Sequence, residues 1–219
     1  MHNVTVAFAA LLVMLLSYFF GCFNGSFMVS HFIIRDDVRK HGSGNAGLTN
    51  FYRTYGAKYA LLVIACDMGK TVAACLLGSF FFRCLGWDGT LGTLLAGLGC
   101  ELGHIFPVFY GFRGGKGILS GGTLVLLLNW RVAAVAWALF LLLWLTTRYV
   151  SLASITATCS APVTVYFVYA HNWLYTGLCL AVAALVVWCH RENIQRLLHG
   201  TEKKFKWHVN PTEGEEPPE

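Results

Sequence analysis

Long apolar runs, separated by short polar stretches, dominate this chain. Runs of about twenty apolar residues are long enough for a helix to cross the hydrocarbon core of a bilayer. The pattern predicts seven helical spans, of which the fourth is short. Their predicted ranges are 4–24, 59–82, 89–110, 118–130, 132–147, 150–170 and 173–189. Residues 25–34 either prolong the first helix or form a re-entrant segment.

The composition agrees with this pattern, because 56% of the 219 residues are hydrophobic and only 12% are charged. Such a balance places most of the chain in lipid. We therefore expect an all-α fold, a polytopic transmembrane helical bundle. Residues 1–207 are predicted to form one integral membrane domain, and residues 208–219, rich in Pro and Glu, a disordered cytoplasmic tail.

Lysine and arginine are concentrated in alternate connections between the predicted spans. These cations are Arg35, Arg39, Lys40, Arg53, Lys58, Arg113, Lys116, Arg148, Arg191, Arg196, Lys203, Lys204 and Lys206. The other connections contain only Arg83 and Arg131. The positive-inside rule then predicts an outside N-terminus and a cytoplasmic C-terminus, as an odd number of spans also requires.

The loop 111–117, Gly-Phe-Arg-Gly-Gly-Lys-Gly, joins two of the apolar runs. Its glycines allow backbone N–H groups to turn toward an anion, and Arg113 and Lys116 supply positive charge. We interpret it as a phosphate clamp at the membrane surface, with a mobile cationic turn as the alternative. It is not a nucleotide P-loop, because Gly117 stands where that motif requires Ser or Thr.

A second glycine-rich loop, 41–53, carries small hydroxyl and amide side chains and ends in Arg53. Ser43, Asn45, Thr49 and Asn50 can donate hydrogen bonds, and Arg53 can bind two phosphate oxygens at once. The loop therefore resembles an oxyanion cradle in its chemistry. A polar connector followed by a helix cap is the alternative.

Several polar pairs are spaced by three residues and so share one helix face. Asp67 and Lys70 lie inside an apolar run, where each would cost about 2.5–3.5 kcal/mol if it faced lipid. They form either a structural ion pair or part of a ligand site. Two further pairs lie at span ends and have structural alternatives in helix packing and a solvated helix end. These pairs are Ser151 with Ser154, and His190 with Asn193.

Metal chemistry is not indicated, because no cluster of carboxylates suited to Mg²⁺ or Zn²⁺ is visible in the sequence. The eight cysteines include no Cys-x-x-Cys pair and fall mostly inside apolar runs. We interpret them as small buried hydrophobic residues. No cofactor is expected.

Taken together, three ordered blocks resemble the bacterial acyl-phosphate:glycerol-3-phosphate acyltransferases, the integral-membrane PlsY family. The blocks are Gly25-Ser26 through 42–53 to Asp67 and Lys70, then 103–117, and finally 151–155 with 190–202. The resemblance covers most of the chain. It implies a seven-helix enzyme that transfers a fatty acyl group from acyl phosphate to the 1-hydroxyl of sn-glycerol 3-phosphate. The products are lysophosphatidic acid, for phospholipid biosynthesis, and inorganic phosphate.

The resemblance also assigns roles to matching positions. The implied catalytic residues are Ser43, Arg53, Lys116, Ser151, His190 and Asn193. The implied substrate and phosphate ligands are Asn45, Thr49, Asn50, Lys70, Arg113, Gly114, Gly115, Gly117, Ser154 and Glu202. Departures from the family pattern at Met28, Leu48, Thr71 and Leu119-Ser120 remove none of these ligands. Whether Ser151 or Ser154 lines the site, and whether His190 or the released phosphate accepts the proton, stays open.

The expected setting is the bacterial plasma (inner) membrane, with the active site facing the cytoplasm. The expected partners are the two substrates and membrane lipids, with transient contact to the soluble enzyme that makes acyl phosphate. We expect a monomer and no nucleic-acid binding. The competing hypothesis is a transporter of a phosphorylated metabolite or lipid, in which Asp67 and Lys70 would line a path. The halves of the sequence show no convincing repeat, which weighs against it.

Overall fold

A computed structural model describes residues 2–206, with side chains from Val4 onward, and contains ten α-helices within that range. The helices are α1 His2–Cys22, α2 Gly25–Met28, α3 Leu48–Tyr55, α4 Ala60–Cys84, α5 Gly89–Ile105, α6 Ile118–Leu128, α7 Trp130–Thr147, α8 Val150–Val168, α9 Trp173–Cys189 and α10 Arg191–Leu198. No strand occurs in this range, so its fold is all-helical. The predicted tail over 208–219 lies outside the described residues.

Five stretches are long and apolar enough to cross a membrane: Val4–Ile34, Ala60–Cys84, Gly89–Tyr110, Trp130–Thr147 and Val150–Val168. A sixth is present if α9 and α10, which are bent by 60°, count as one span. Helix α6 has only 11 residues. It is about 16 Å long, roughly half the thickness of the hydrocarbon core. The count of seven spans and their orientation therefore stay predictions.

The first span continues beyond α1 and includes the segment 25–34. The Asn24 side chain caps α2 by accepting a hydrogen bond of 2.9 Å from the Phe27 amide. A π-helical stretch, Val29–Ile34, follows directly, so that Val4–Ile34 forms one span of 31 residues. Of the two alternatives for this segment, the structure therefore favours prolongation.

Helix α5 lies at the centre of the bundle, and its glycines bring neighbouring backbones unusually close. A Cβ atom at Gly99 would lie 2.3 Å from the Met14 carbonyl oxygen, and one at Gly103 would lie 1.9 Å from that of Tyr18. Small residues permit such close packing of membrane helices. The tight contact with α1 holds the end of α5 firmly, at the point where the 111–117 loop approaches.

The cation-rich connections meet at one end of the bundle. The Ala46 amide donates a 3.3 Å hydrogen bond to the Gly114 carbonyl, which joins the two glycine-rich loops. Arg53 Nη2 donates to the Lys203 carbonyl at 3.1 Å, so the C-terminal segment joins the same end. The grouping that the charge pattern predicted is therefore present in the fold, whereas its cytoplasmic placement stays a prediction.

Candidate active site

The glycine loop 111–117 rests on the end of α5 and on the first glycine-rich loop. The Gly115 amide donates a 3.0 Å hydrogen bond to the His104 carbonyl. The Gly114 carbonyl accepts hydrogen bonds from the Ala46 amide at 3.3 Å and from Asn45 Nδ2 at 3.4 Å. The two hydrogen bonds to the Gly114 carbonyl join the two loops. The two predicted cradles therefore form one structure.

Asn50 organises the first glycine-rich loop. Its Oδ1 accepts a 2.9 Å hydrogen bond from the amide of Ser43, a residue that is itself exposed. Its Nδ2 donates to three carbonyl oxygens at 3.0–3.1 Å, those of Val38, His41 and Asn45. The loop backbone thus uses both polar atoms of the side chain, and the role of Asn50 as a phosphate ligand stays a prediction.

Glu202 is the centre of a hydrogen-bond network that joins α8, α10 and the C-terminal segment. Its Oε1 accepts from Ser151 Oγ and from Asn193 Nδ2, each at 2.7 Å. Its Oε2 accepts from Arg196 Nε at 2.7 Å. The carboxylate oxygens of Glu202 thus hold donors of α8 and α10 in place, and its role as a substrate or phosphate ligand stays a prediction.

Lys116 connects the glycine loop to this network, because its ammonium donates a hydrogen bond to Asn193 Oδ1. Burial, together with the positive charge of Arg196, lowers the pKa of Lys116. Hydrogen bonds from Asn193, Ser151 and Arg196 outweigh burial and lower the pKa of Glu202. Arg53 is half-buried nearby and feels the charges of Glu202 and Arg196. Several cations thus converge where two carboxylates, Glu202 and Glu192, offset only part of their charge, and such a site attracts an anion.

A cavity of about 230 Å³ opens between the two loops and α10. Six of the predicted residues line it: Ser43, Asn45, Arg113, Gly114, Gly115 and Lys116. Three aromatic side chains, Phe106, Phe112 and Trp188, form an apolar part of its wall. The arrangement can hold a phosphate group against cations while apolar atoms lie beside it.

Two serine positions in α8 differ in their surroundings. Ser151 joins the Glu202 network, whereas Ser154 Oγ is buried and has no hydrogen-bond partner among the described residues. The geometry therefore favours Ser151 over Ser154 as a member of the site. Thr49 lies in the first turn of α3 and does not line the cavity.

His190 and Gly117 lie beside the cavity without lining it. Gly117 precedes α6 with φ +80°, a conformation that favours glycine, and a Cβ there would lie 2.1 Å from Glu101 Oε2. His190 is buried at the α9–α10 junction, where its Nδ1 lies 2.8 Å from the Val186 carbonyl oxygen. A carbonyl only accepts, so Nδ1 carries the proton and Nε2 is left as an acceptor.

Lys70, which was predicted as a phosphate ligand, is buried inside the bundle and does not line the cavity. Its ammonium contacts Asp67 Oδ1 at 2.8 Å, His104 Nδ1 at 2.7 Å and the carbonyls of Gly21 and Phe23 at 3.2 and 3.0 Å. An ammonium has three donors. These four acceptors surround the ammonium and can take up all of its donors, and the role of Lys70 as a phosphate ligand stays a prediction.

The sequence interpretation did not assign a site role to two arginines that line the cavity, Arg191 and Arg196. Arg196 follows Asn193 by three residues within α10, so the two share a helix face. The three-residue spacing could therefore have indicated Arg196 as a site residue from the sequence. Arg191, whose guanidinium lies 4.5 Å from the Trp188 ring centroid, had none beyond its charge.

We expect Glu202→Gln to weaken the network, because an amide removes one acceptor and places a donor against existing donors. The loss should be about 1–3 kcal/mol of unfolding free energy at pH 7. Glu202 has a lowered pKa in the folded protein, so its contribution is present at neutral pH and lost as pH falls through that value. Thermal unfolding in detergent should therefore show a difference between wild type and variant that shrinks below about pH 4.

The matched control for this prediction is Glu192→Gln on the same helix. Glu192 lies 4.0 Å from Arg196, and its side chain is 66% exposed, against 5% for Glu202. Exposed ion pairs contribute little, so this variant should unfold like wild type. Equal effects of the two substitutions would contradict the central position of Glu202.

The fold and the site together define an integral membrane protein of helical type, with a cavity lined by several cations at one end. A family model described as glycerol-3-phosphate acyltransferase matches residues 11–200. A glycerol-3-phosphate acyltransferase of Syntrophomonas wolfei is 39% identical over 197 residues, covering 90% of this chain and 96% of that one. A relative of the same name from Finegoldia magna is 38% identical, with coverages of 86% and 92%.

Solved structures agree with these relatives. A crystal structure of PlsY (YgiH), an integral membrane glycerol 3-phosphate acyltransferase in its glycerol 3-phosphate form, has a TM-score of 0.79 and 36% identity. The match covers 90% of this chain and 96% of that one. The lysophosphatidic acid form of PlsY matches with a TM-score of 0.77. This chain therefore belongs to the glycerol-3-phosphate acyltransferase family.

Proposed function

We propose that this protein transfers a fatty acyl group from acyl phosphate to the 1-hydroxyl of sn-glycerol 3-phosphate. The observation that carries the proposal is the cavity between two joined glycine loops, lined by Arg113, Lys116 and Arg196. Both substrates are phosphates, so a site for their reaction must offset the repulsion between them. The glycerol 3-phosphate and lysophosphatidic acid forms of the related PlsY support the proposed acceptor and product.

The reaction needs no covalent enzyme intermediate, because acyl phosphate is already activated. The glycerol oxygen attacks the acyl carbonyl carbon, an ester bond forms, and the bond from that carbon to the phosphate oxygen breaks. Inorganic phosphate leaves with the bonding electrons. The Ser43 hydroxyl can donate to the carbonyl oxygen as negative charge develops on it.

The hydroxyl proton passes to the leaving phosphate or to His190. The contact of His190 Nδ1 with the Val186 carbonyl leaves Nε2 with a free lone pair, which suits a proton acceptor. The leaving phosphate has the advantage of being next to the reacting hydroxyl. His190→Ala separates the two bases, because phosphate-assisted transfer would keep most of its rate.

A direct assay tests the proposal. Purified protein in detergent, given palmitoyl phosphate and radiolabelled glycerol 3-phosphate, should form lysophosphatidic acid and release phosphate in equal amounts. Palmitoyl-coenzyme A in place of palmitoyl phosphate should give background product. Product formation from the thioester alone would refute the proposed donor, and an acyl group trapped by hydroxylamine on Ser43 or Ser151 would refute direct transfer.

The same assay tests the transporter hypothesis. A transporter would release no phosphate, whereas the proposed enzyme would. Membership of an acyltransferase family gives that hypothesis no support. The gathering of polar residues at one end of the bundle, instead of at its midplane, also argues against a transport path.

We further propose that the enzyme works as a monomer in the bacterial plasma (inner) membrane, with the site facing the cytoplasm. The positive charge of the connections at the site end supports this orientation. The acyl-phosphate donor would then arrive from the cytoplasmic side, by transient contact with the soluble enzyme that makes it.

A further inference from the structure

A buried polar chain lies directly beneath the glycine loop, and the proposed reaction does not use it. Asp67, Lys70 and His104 are each at least nine-tenths buried, with side chains 2%, 5% and 4% exposed. Lys70 Nζ lies 2.8 Å from Asp67 Oδ1 and 2.7 Å from His104 Nδ1. The Asp67 carboxylate offsets the charge of the ammonium and also accepts a 3.0 Å hydrogen bond from the Gly25 amide.

The Lys70 contact determines which nitrogen of His104 carries a proton. An ammonium can only donate, so Nδ1 must accept, and a neutral ring then has its proton on Nε2. Nε2 faces the glycine loop, since a Cβ atom at Gly115 would lie only 2.1 Å from it. The ring therefore packs directly against Gly115.

His104 also holds the loop through its backbone. Its carbonyl oxygen accepts the 3.0 Å hydrogen bond from the Gly115 amide, and Gly115 directly precedes Lys116. The backbone and the ring of one residue therefore both contact the segment from which Lys116 extends toward Asn193. A small displacement of this segment would move the Lys116 ammonium within the cavity.

We propose that His104 is a positioning residue for the acyl transfer. Lys70, neutralised by Asp67, orients the His104 ring through the contact of its ammonium with Nδ1. The packing of this ring against Gly115 and the hydrogen bond to the His104 carbonyl hold the glycine loop so that Lys116 is presented to the substrate phosphate. His104 does not line the cavity, so it acts on the loop and not on the ligand. The inference rests on the proposed function, because it assumes that the loop binds a substrate phosphate.

Two substitutions of similar size separate positioning from simple packing. His104→Gln keeps a side-chain acceptor for the Lys70 ammonium, whereas His104→Leu fills the space without one. We expect kcat/KM for glycerol 3-phosphate to fall about 10–100-fold in His104→Leu, since misplacement by about an ångström has effects of that order. The kcat/KM of His104→Gln should stay within a few-fold of the wild-type value. Its thermal midpoint should not exceed that of His104→Leu, so that greater stability does not explain its higher activity.

The coupling to Lys70 is tested by a double-mutant cycle made in an Asp67→Asn background, which avoids an unpaired buried carboxylate. If Lys70 acts through His104, adding Lys70→Met to His104→Leu should cause no further loss of kcat/KM. Independent losses that multiply would overturn the proposed chain. Equal activity of His104→Leu and wild type, or equal losses in the Leu and Gln variants, would overturn the positioning role.

Direct binding of glycerol 3-phosphate, measured by calorimetry on the same purified variants, keeps this inference separate from the proposed function. If wild type binds glycerol 3-phosphate but shows no transfer from palmitoyl phosphate, the proposed donor fails. The His104 inference then still requires weaker binding in His104→Leu and near-normal binding in His104→Gln. The opposite order of affinities would refute it.

Discussion

Lys116→Met is expected to reduce the rate of acyl transfer by at least about 100-fold, the effect typical of removing one preorganised charged donor. Lys116 is half-buried and lines the cavity. It lies in the 111–117 loop, which is joined to the first glycine-rich loop. Methionine keeps most of the side-chain volume and removes only the charge. The loss should therefore appear in the initial rate of phosphate release, measured with saturating palmitoyl phosphate.

The fold should survive this substitution, because burial already opposes the charged form of Lys116 and its pKa is lowered. The thermal midpoint should be equal to or above that of wild type. Lys40→Met is the matched control, since Lys40 is exposed at the same end of the bundle and lies outside the cavity. It should keep wild-type activity. A Lys116→Met enzyme within tenfold of wild type would show that another cation holds the phosphate.

Gly114→Ala should abolish activity and also destabilise the protein. The new Cβ would lie 1.9 Å from the His104 carbonyl oxygen and 2.9 Å from that of Ile105. Both are backbone atoms at the end of the tightly packed helix α5, so the loop must move instead. We expect a cost of about 1–3 kcal/mol, visible as a thermal midpoint lower by several degrees.

The displaced loop would lose the contacts of Gly114 with Ala46 and Asn45, and the two glycine segments would separate. Transfer activity should fall to background even at temperatures where the variant is folded. Gly69→Ala provides the control, because a Cβ on this exposed α4 glycine meets no atom within 4 Å. Alanine there should leave activity unchanged and improve helix propensity by up to about 1 kcal/mol. Activity retained by Gly114→Ala would contradict the described loop geometry.

Much of the helical framework was predictable, because the preference of a side chain for lipid or water depends little on its partners. The ranges 59–82, 89–110, 132–147 and 150–170 fall close to helices α4, α5, α7 and α8. The range 118–130 shows where this approach ends. Its residues are mostly apolar, but the helix has only 11 of them and ends at Leu128, before Asn129 caps α7.

The candidate site was predictable to the extent that its chemistry is local. Glycines beside a lysine indicate an anion-binding loop irrespective of the rest of the sequence. In the structure, Gly114, Gly115 and Lys116 line one cavity. At Asn50 and Lys70, residue type alone does not show what the side chain contacts. Each carries suitable donors, but backbone carbonyls or buried side chains already occupy them. Hydrogen-bond partners of this kind are distant in sequence, so motif spacing cannot reveal them.

By itself, the sequence determined that this is a membrane-embedded helical protein with cationic glycine loops, because hydropathy, charge and glycine content act through neighbouring residues. Only the tertiary structure decided how these parts cooperate. It joined the two loops at Gly114, made Glu202 the acceptor for Ser151, Asn193 and Arg196, and placed His104 beneath Gly115. The physical reason is that each contact depends on the close approach of helices that are far apart along the chain.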